Sequence, residues 1–269
     1  MATYLAEIVT AHRAAAAADR RDVGDLVEEA LASPAPAGFA AALVESSRSG
    51  LAVIAEVKRR SPSKGALALD LDPAEVALAY AAGGAACLSV LTDAGFFAGS
   101  PADLAAAKAA SSLPVLRKDF TVSEADVCDA RLMGADAVLL IVAALADAEL
   151  SAFAALAERL DLDVLVEVHD DAELDRALAM GARFVGVNQR DLATFEVDRE
   201  RAERMAGSIP PGVVAVAESG IRDASDAKRL AAAGYQAVLV GEGVVVADDR
   251  SGAVAALAGH PVARTGVAR

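Results

Sequence analysis

The segment Gly134-Ala-Asp-Ala-Val-Leu-Leu-Ile-Val142 decides the fold, because it reads as the end of a helix followed at once by a buried strand. Glycine supplies the left-handed residue with which many helices end. The apolar run after it lacks polar alternation, which is typical of a parallel strand covered on both faces. The same pattern recurs at 84–91, 181–188 and 234–241.

The four copies start about fifty residues apart, which is the length of two β-α units, so another strand is expected in each interval. Helical patterns fill the gaps and begin at capping residues such as Asp72, Ser100 and Ser123. Strict alternation, without a glycine-rich turn after the first strand, favours a closed (β/α)8 TIM barrel over an open doubly wound sheet. We predict eight strands, at 51–58, 86–91, 114–119, 137–142, 163–168, 184–188, 213–218 and 237–241.

Residues before the first strand are too few and too dependent on partners to form a domain. A helix is predicted over 3–32 and a second over 39–49, separated by the breaker Ser33-Pro-Ala-Pro-Ala-Gly38. This leader is expected to lie against one end of the barrel. We therefore expect a helical extension at 1–50, a barrel at 51–258 and a tail at 259–269 that matches no pattern and is a candidate for disorder.

Composition limits the classes of partner. The 269 residues are 55% hydrophobic and carry a formal net charge of −14, which argues against nucleic acid and anionic membranes but allows a small anionic substrate. The longest apolar run, 137–146, is far shorter than the ~20 residues of a membrane span, and the start lacks a signal-peptide pattern. Cys87 and Cys128 have no metal or redox spacing and are expected to be buried thiols. The sequence predicts a soluble cytoplasmic protein, and its oligomeric state is left open between a monomer and a weak homo-oligomer.

Two charged residues, Glu56 and Lys58, end the otherwise apolar first strand, and a polar turn is predicted directly after it, at Arg59-Arg-Ser-Pro-Ser-Lys-Gly65. Strand positions two apart share a face, so both side chains point the same way. Burying such ions costs several kcal/mol each. Chemistry is therefore the favoured explanation, and a solvated ion pair at a fraying strand end is the alternative.

Other strands also end in polar residues, and in such barrels the reacting groups lie at the carboxyl ends of the strands. Lysine usage is notable, because three of only five lysines, Lys58, Lys64 and Lys118, follow strands. Unlike arginine, lysine can be tuned to give up a proton, which suggests acid–base or Schiff-base chemistry, with chance clustering as the alternative. The other strands end in polar residues and glycines, namely Arg117, Glu167, His169, Asn188, Arg190, Glu218, Ser219, Gly220, Gly241 and Glu242.

Glu167 ends an apolar strand, so its pKa should rise unless a cation such as Lys118 or Lys58 lies nearby. It is a candidate general base or proton shuttle, and the alternative is that it caps the next helix. Asn188 and Ser219 suit substrate hydroxyls but could equally be caps. For His169 a loop or capping role is favoured over catalysis.

The loops after the last two predicted strands contain Gly220 and Gly241, whose backbone amides could bind a phosphate. Ser61 and Lys64 could close that site, and the side chain of Glu242 is expected to point away from it. Phe97 and Phe120, with Phe96, predict contact with an apolar or aromatic part of the substrate, although packing of the loops explains them equally well. His12 and His260 carry no site signature.

At this point the stretch from about 50 to 246 resembles the indole-3-glycerol phosphate synthase family, the ring-closing enzymes of tryptophan biosynthesis. The helical leader is also a feature of that family. The motifs that carry the resemblance are Ile54-Ala-Glu-Val-Lys-Arg-Arg-Ser-Pro-Ser-Lys-Gly65, Ser89-Val-Leu-Thr-Asp93, Leu116-Arg-Lys-Asp-Phe120, Leu139-Leu-Ile-Val142, Val166-Glu-Val-His169, Gly186-Val-Asn-Gln-Arg-Asp-Leu192 and Ala217-Glu-Ser-Gly-Ile221 with Leu239-Val-Gly-Glu242.

The resemblance implies a lyase that cyclises 1-(2-carboxyphenylamino)-1-deoxyribulose 5-phosphate to indole-3-glycerol phosphate with loss of carbon dioxide and water, without a metal or cofactor. It implies that Lys118 is the general acid that protonates the ribulose carbonyl oxygen. Lys58, paired with Glu56, would bind the substrate carboxylate, and Glu167 would serve the dehydration. The division of that step among Glu56, Lys58 and Glu167 is left open.

The resemblance also implies the binding contacts of the substrate. Hydroxyls would be held by Asn188 and Ser219, the phosphate by Ser61, Gly220 and Gly241, and the anthranilate ring by Phe97, Phe120, Leu139 and Leu192, with Arg190 supporting Glu56 or Asn188. Two rival functions are a Schiff-base aldolase that uses Lys118 as nucleophile and a barrel that only binds a phosphorylated ligand.

Overall fold

The structure is a computed structural model that describes residues 4–263. Eight parallel strands close into a barrel, so the predicted (β/α)8 TIM barrel is confirmed, and each predicted strand is present within two residues of its expected bounds. The barrel strands are β1 Ala52–Val57, β4 Cys87–Leu91, β5 Val115–Lys118, β6 Ala137–Ile141, β7 Asp163–Val168, β8 Phe184–Asn188, β9 Val214–Glu218 and β10 Ala237–Val240. Two short strands, β2 Arg60–Ser61 and β3 Gly65–Ala66, lie outside the barrel. β1 pairs with both β4 and β10 and thereby closes the barrel.

Helices separate the barrel strands. They are α1 Tyr4–Ala18, α2 Val23–Ala32, α3 Phe39–Ser47, α4 Pro73–Ala82, α5 Ala94–Phe97, α6 Pro101–Ser111, α7 Glu124–Leu132, α8 Asp147–Arg159, α9 Asp171–Ala179, α10 Arg201–Met205, α11 Ala224–Ala233, α12 Glu242–Val245 and α13 Arg250–Leu257, with 3₁₀ turns at Val142–Ala144 and Ala206–Ser208. The side chains of Asp72, Ser100 and Ser123 cap α4, α6 and α7 as predicted. The repeat glycines have positive φ, with 86° at Gly134 and 104° at Gly234, so they end the preceding helices as expected.

One element differs from the sequence expectation. The polar stretch after β1, predicted as a turn, forms the two-stranded antiparallel sheet of β2 and β3. The Arg60 guanidinium ties this hairpin to α5, because it donates to the carbonyl oxygen of Phe96 at 3.1 Å. The hairpin therefore stands as a wall beside the carboxyl end of β1.

The leader also differs, because it contacts both ends of the barrel rather than one. The helix predicted over 3–32 is broken at 19–22, where the Asp22 side chain caps α2, and Thr3 lies outside the described residues. α1 lies at the carboxyl ends of the strands, where the Leu5 amide donates to the Leu192 carbonyl at 3.2 Å. α2 packs along the outside of α7.

α3 closes the opposite end of the barrel. Phe39 is fully buried there, and its ring lies 5.9 Å from that of Phe184. Two carboxylates hold the backbone on either side of Phe39. The Ala37 amide donates to Asp136 Oδ1 at 2.6 Å, and the Ala40 amide donates to Asp163 Oδ2 at 2.8 Å. A sequence pattern could not show this, because the partners are about a hundred residues apart.

The buried apolar residues form one layer between the barrel and its helices and a second inside the barrel. Cys87 and Cys128 are free and buried, as predicted. Of the expected disordered tail, residues 259–263 pack on the barrel, where Leu51 donates to the His260 carbonyl at 2.7 Å, and 264–269 lie outside the described residues. Among the residues described, no helix has both the length and the apolar character to cross a membrane.

Candidate active site

A cavity of about 750 Å³ opens at the carboxyl ends of the barrel strands. The structure brings every predicted site residue to the cavity wall, although they come from all eight barrel strands or the loops that follow them. These residues are Glu56, Lys58, Ser61, Phe97, Lys118, Phe120, Leu139, Glu167, Asn188, Arg190, Leu192, Ser219, Gly220 and Gly241.

The charged pair at the end of β1 is an ion pair inside the cavity. Lys58 Nζ donates to Glu56 Oε1 at 2.5 Å, and the Glu56 carboxylate is buried. Gly241 explains how the pair fits, because a Cβ atom at that position would lie 2.8 Å from Lys58 Nζ and would overlap the Glu56 carboxylate. The strand-end glycine therefore makes room for the pair, a constraint that the sequence did not reveal.

Lys118, at the end of β5, lies among buried carboxylates. Its Nζ donates to Glu167 Oε2 at 3.1 Å and is 3.9 Å from Glu218 Oε2. Burial lowers the pKa of Lys118, but Glu167, Glu218 and Glu56 together outweigh it, so this pKa is raised. The raised pKa keeps Lys118 in its positively charged ammonium form among these carboxylates.

Glu167, at the end of β7, is fully buried and hydrogen-bonded on both oxygens. Oε2 accepts from Lys118, and Oε1 accepts from Asn188 Nδ2 at 3.0 Å. Burial alone would raise the pKa of Glu167, but Lys118, His169 and the Asn188 hydrogen bond lower it below its usual value. The cation expected from the sequence is thus Lys118, and Glu167 does not cap the following helix.

Glu218, at the end of β9, lines the cavity, and the sequence analysis noted it at a strand end without giving it a role. Its carboxyl group is buried, and within residues 4–263 its Oε1 has no hydrogen-bond partner. Burial, together with the charges of Glu167 and Glu56, raises the pKa of Glu218 well above its usual value despite Lys118. Glu218 therefore holds its proton to a higher pH than an ordinary glutamate does. A glutamate ending an apolar strand was the available signal, the same one that identified Glu167.

Next to Glu218 the backbone takes an unusual conformation. Ser219 has φ 64° and Gly220 φ 71°, so two consecutive residues are left-handed, which is costly for serine. The Gln189 side chain holds this turn by donating to the Ser219 carbonyl at 2.8 Å. This left-handed turn places Ser219 and Gly220, in the loop after β9, in the wall of the cavity.

Arg190 supports Asn188 through its backbone rather than its guanidinium. Its amide donates to Asn188 Oδ1 at 2.9 Å, which leaves the Asn188 amide group directed at Glu167. The guanidinium donates to the Phe195 carbonyl at 3.1 Å. No hydrogen bond to Glu56, the other expected partner, is present among the described residues.

The glycine loops and the hairpin face each other across the mouth. Ser61 Oγ accepts from the Lys64 amide at 3.2 Å. Lys64 Nζ lies 3.5 Å from Glu242 Oε1, so the side chain of Glu242 pairs with the hairpin lysine at the rim. Both partners are about half exposed, and such an exposed pair contributes little stability.

The aromatic wall is built partly by the leader. The ring of Phe120 lies 6.4 Å from that of Phe97 and 5.5 Å from that of His12 in α1. Leu139 and Leu192 belong to the same apolar cluster inside the barrel. His12, which the sequence analysis set aside, is therefore a neighbour of the site.

His12 Nε2 is 3.1 Å from Asp93 Oδ2 and 3.8 Å from Asp119 Oδ1, so these residues offer three ligand atoms close together. Both carboxylates already accept backbone amides: Phe97 donates to Asp93 at 3.1 Å and Phe120 to Asp119 at 2.9 Å. These bonds help to hold the two carboxylates in place beside His12. The hydrogen bond to Asp93 raises the pKa of His12, although burial opposes it.

Comparison with known proteins identifies the family. A family model described as indole-3-glycerol phosphate synthase matches residues 5–257. A Streptomyces coelicolor protein named indole-3-glycerol phosphate synthase 2 is 52% identical over 89% of this chain and 92% of its own length. A Mycolicibacterium vanbaalenii indole-3-glycerol phosphate synthase is 50% identical over 95% of this chain and 94% of its own length.

Among solved structures, the thiamine phosphate pyrophosphorylase of Pyrococcus furiosus matches 80% of this chain and 95% of its own, with a TM-score of 0.59 and 17% identity. That likeness concerns the barrel fold alone. The family model spans the leader and every strand end of the site, and the two relatives match 89% and 95% of the chain. The chain belongs to the indole-3-glycerol phosphate synthase family.

Proposed function

We propose that this site closes the indole ring of 1-(2-carboxyphenylamino)-1-deoxyribulose 5-phosphate by general acid–base catalysis, releasing carbon dioxide and water. Lys118 is the general acid: its ammonium protonates the ribulose carbonyl oxygen as the ring carbon attacks. The observation that carries the proposal is the Lys118 ammonium, held at 3.1 Å by Glu167 inside a cavity with an aromatic wall.

Lys58 binds the substrate carboxylate before it leaves as carbon dioxide, and Glu56 holds Lys58 in place. The 2.5 Å contact between Lys58 Nζ and Glu56 Oε1 supports this assignment. Glu167 serves the later dehydration, in which one proton leaves a ring carbon and one joins the departing hydroxyl. Glu218, whose pKa is raised by burial and by the neighbouring carboxylates, lies 3.9 Å from Lys118 Nζ and is a second candidate acid.

The remaining contacts are those that the family resemblance implies, and they are supported by the position of all these residues on the cavity wall. Phe97, Phe120, Leu139 and Leu192 enclose the anthranilate ring, and Asn188 and Ser219 hold substrate hydroxyls. The phosphate lies on the loops of Gly220 and Gly241, with Ser61 opposite. We also propose a cytoplasmic location. The chain is proposed to be a monomer or a weak homo-oligomer, and sedimentation analysis tests this oligomeric state.

The charge state of Lys118 separates this reaction from Schiff-base chemistry. A Schiff-base lysine attacks as a neutral amine, whereas neighbouring carboxylates raise the pKa of Lys118. Treatment with borohydride and a sugar phosphate should therefore leave Lys118 unmodified, and a stable adduct there would contradict the proposal.

The decisive experiment is direct. Purified chain and synthetic substrate should produce the fluorescence of an indole, with carbon dioxide in equal amount. Heat-denatured chain is the control. Absence of indole formation at micromolar enzyme would refute the proposed function.

A further inference from the structure

The proposed reaction consumes one proton in each turnover. The substrate enters with a carboxylate and leaves as neutral carbon dioxide, and the hydroxyl leaves as water, so charge balances only if one proton is taken up. A bound substrate excludes water from a buried site. A proton held near Glu167 and Lys118 would therefore be available when bulk water is not.

His169 lies directly behind Glu167. Its Nδ1 is 3.0 Å from Glu173 Oε2, and its Nε2 is 3.6 Å from Glu167 Oε1. The ring is only 11% exposed, and Nε2 is buried without a hydrogen-bond partner among the described residues. A chain of carboxylate, imidazole and carboxylate thus connects the partly exposed Glu173 to the site.

Glu173 fixes the ring. Glu173 Oε2 accepts a hydrogen bond from the backbone amide of His169 at 2.8 Å and is also hydrogen-bonded to His169 Nδ1 at 3.0 Å. Nδ1 therefore carries hydrogen toward Glu173, and a second proton is needed for Nε2 to face Glu167 favourably. An imidazolium between two carboxylates satisfies both contacts, whereas a neutral ring would direct a lone pair at Glu167.

The charges around the ring favour the imidazolium. Glu173 comes from α9 and Glu167 from β7, whereas Arg201 from α10 opposes them. Burial lowers the pKa of His169, but the two carboxylates outweigh burial and Arg201, so this pKa is raised. On its other side Glu167 faces the Lys118 ammonium, and its charge also acts on Glu218.

We propose that His169 is a proton store for Glu167, positioned by Glu173. With substrate bound, the Nε2–H bond breaks and a new O–H bond forms at Glu167 Oε1, which leaves a neutral imidazole hydrogen-bonded to Glu173. The 3.6 Å gap must shorten for this transfer, as catalytic hydrogen bonds often do when substrate binds. After the product leaves, water enters the cavity, and a solvent proton returns through Glu167 to Nε2.

His169 acts through Glu167 and touches no substrate, so it is a positioning residue. This role rests on the proposed function.

The test is the pH dependence of single-turnover indole formation with enzyme in excess. The wild-type rate should fall at high pH, because His169 then loses the Nε2 proton that it would transfer to Glu167. Glu173→Gln removes the charge beside Nδ1 and should move that fall about one pH unit lower. Asp171→Asn, which removes an exposed carboxylate from the same helix turn without contact to His169, should leave the profile unchanged.

His169→Gln keeps an amide donor near Glu167 but has no proton to give. We expect its rate to be about ten-fold lower at pH 6 to 7, a modest part of what a full proton transfer contributes, and its high-pH fall to be absent. A purely structural role would lower the rate equally at all pH values. A Glu173→Gln profile superimposable on the wild type, or a His169→Gln rate equal to the wild type, overturns the store even when the wild-type chain makes indole. A wild-type chain that makes none refutes the proposed function instead.

Discussion

Replacing Lys118 with methionine removes an ammonium that lies 3.1 Å from Glu167 Oε2 and 3.9 Å from Glu218 Oε2. At an effective dielectric constant of about 20, unit charges separated by the 3.1 Å between Lys118 and Glu167 attract by about 5 kcal/mol. Breaking a buried pair on one side typically costs about 3 to 5 kcal/mol, because the remaining charge is uncompensated. Methionine keeps the length of the side chain, so the loss is mainly electrostatic.

Glu167 can avoid part of this cost by binding a proton. In the wild type, burial raises the pKa of Glu167, but Lys118 and other neighbours bring it below its usual value. Without Lys118 the folded-state pKa rises above the unfolded value, so the folded variant holds a proton that the unfolded chain releases. Its stability relative to the wild type should therefore fall by about 1.4 kcal/mol per pH unit until Glu167 ionises in the folded state.

Urea unfolding of Lys118→Met and wild type from pH 5 to 8 measures this difference. Lys108→Met is the matched control, because Lys108 pairs at 2.7 Å with the buried Asp136 at the opposite end of the barrel. Both variants should lose stability. Only Lys118→Met should also lose turnover, by about 10² to 10⁴, because proton transfer typically contributes that much. Turnover of Lys118→Met within a few-fold of wild type, or a stability deficit that does not grow with pH, would refute this reasoning.

Three further variants test other parts of the site. Glu218→Gln should gain stability relative to wild type as pH rises from 5 to 8 in chemical denaturation, because the raised pKa of Glu218 makes the wild type retain a proton that its unfolded state releases. Gly241→Ala should raise KM and lower kcat in the indole assay by displacing the pair at Glu56, whereas Gly84→Ala, where nothing lies within 4 Å, should reduce the unfolding free energy alone. His12→Ala should raise KM by about two- to ten-fold through loss of the ring beside Phe120. Its stability deficit should be larger at pH 6 than at pH 8.5 by thermal unfolding, since the raised pKa of His12 stabilises the fold at low pH and that contribution is lost as pH rises through it.

The barrel was predictable because its signals are local. Each repeat glycine ends a helix through its own φ, and each apolar run that follows can be satisfied only as a covered strand. The caps at Asp72, Ser100 and Ser123 are likewise set within four residues of the chain. The break between α1 and α2 was missed, because alanine-rich sequence continues a helical pattern on either side of it.

The position of the leader was not predictable for a different reason. Its contacts join residues far apart in sequence, such as His12 with Asp93 and Ala37 with Asp136. A helix periodicity shows that a face is apolar but not which surface covers it. The antiparallel hairpin after β1 was hidden for a related reason, because its strands are only two residues long.

The sequence by itself determined which chemical groups end the barrel strands, because strand order and strand direction place every carboxyl end at one mouth. Only the tertiary structure decided their charge states. Glu167 and Glu218 end similar apolar strands, yet Lys118 and Asn188 contact the first, while the second has one oxygen without a partner in the described chain. Distances of a few ångströms in a buried site decide which carboxyl keeps its proton, and no pattern along the chain encodes them.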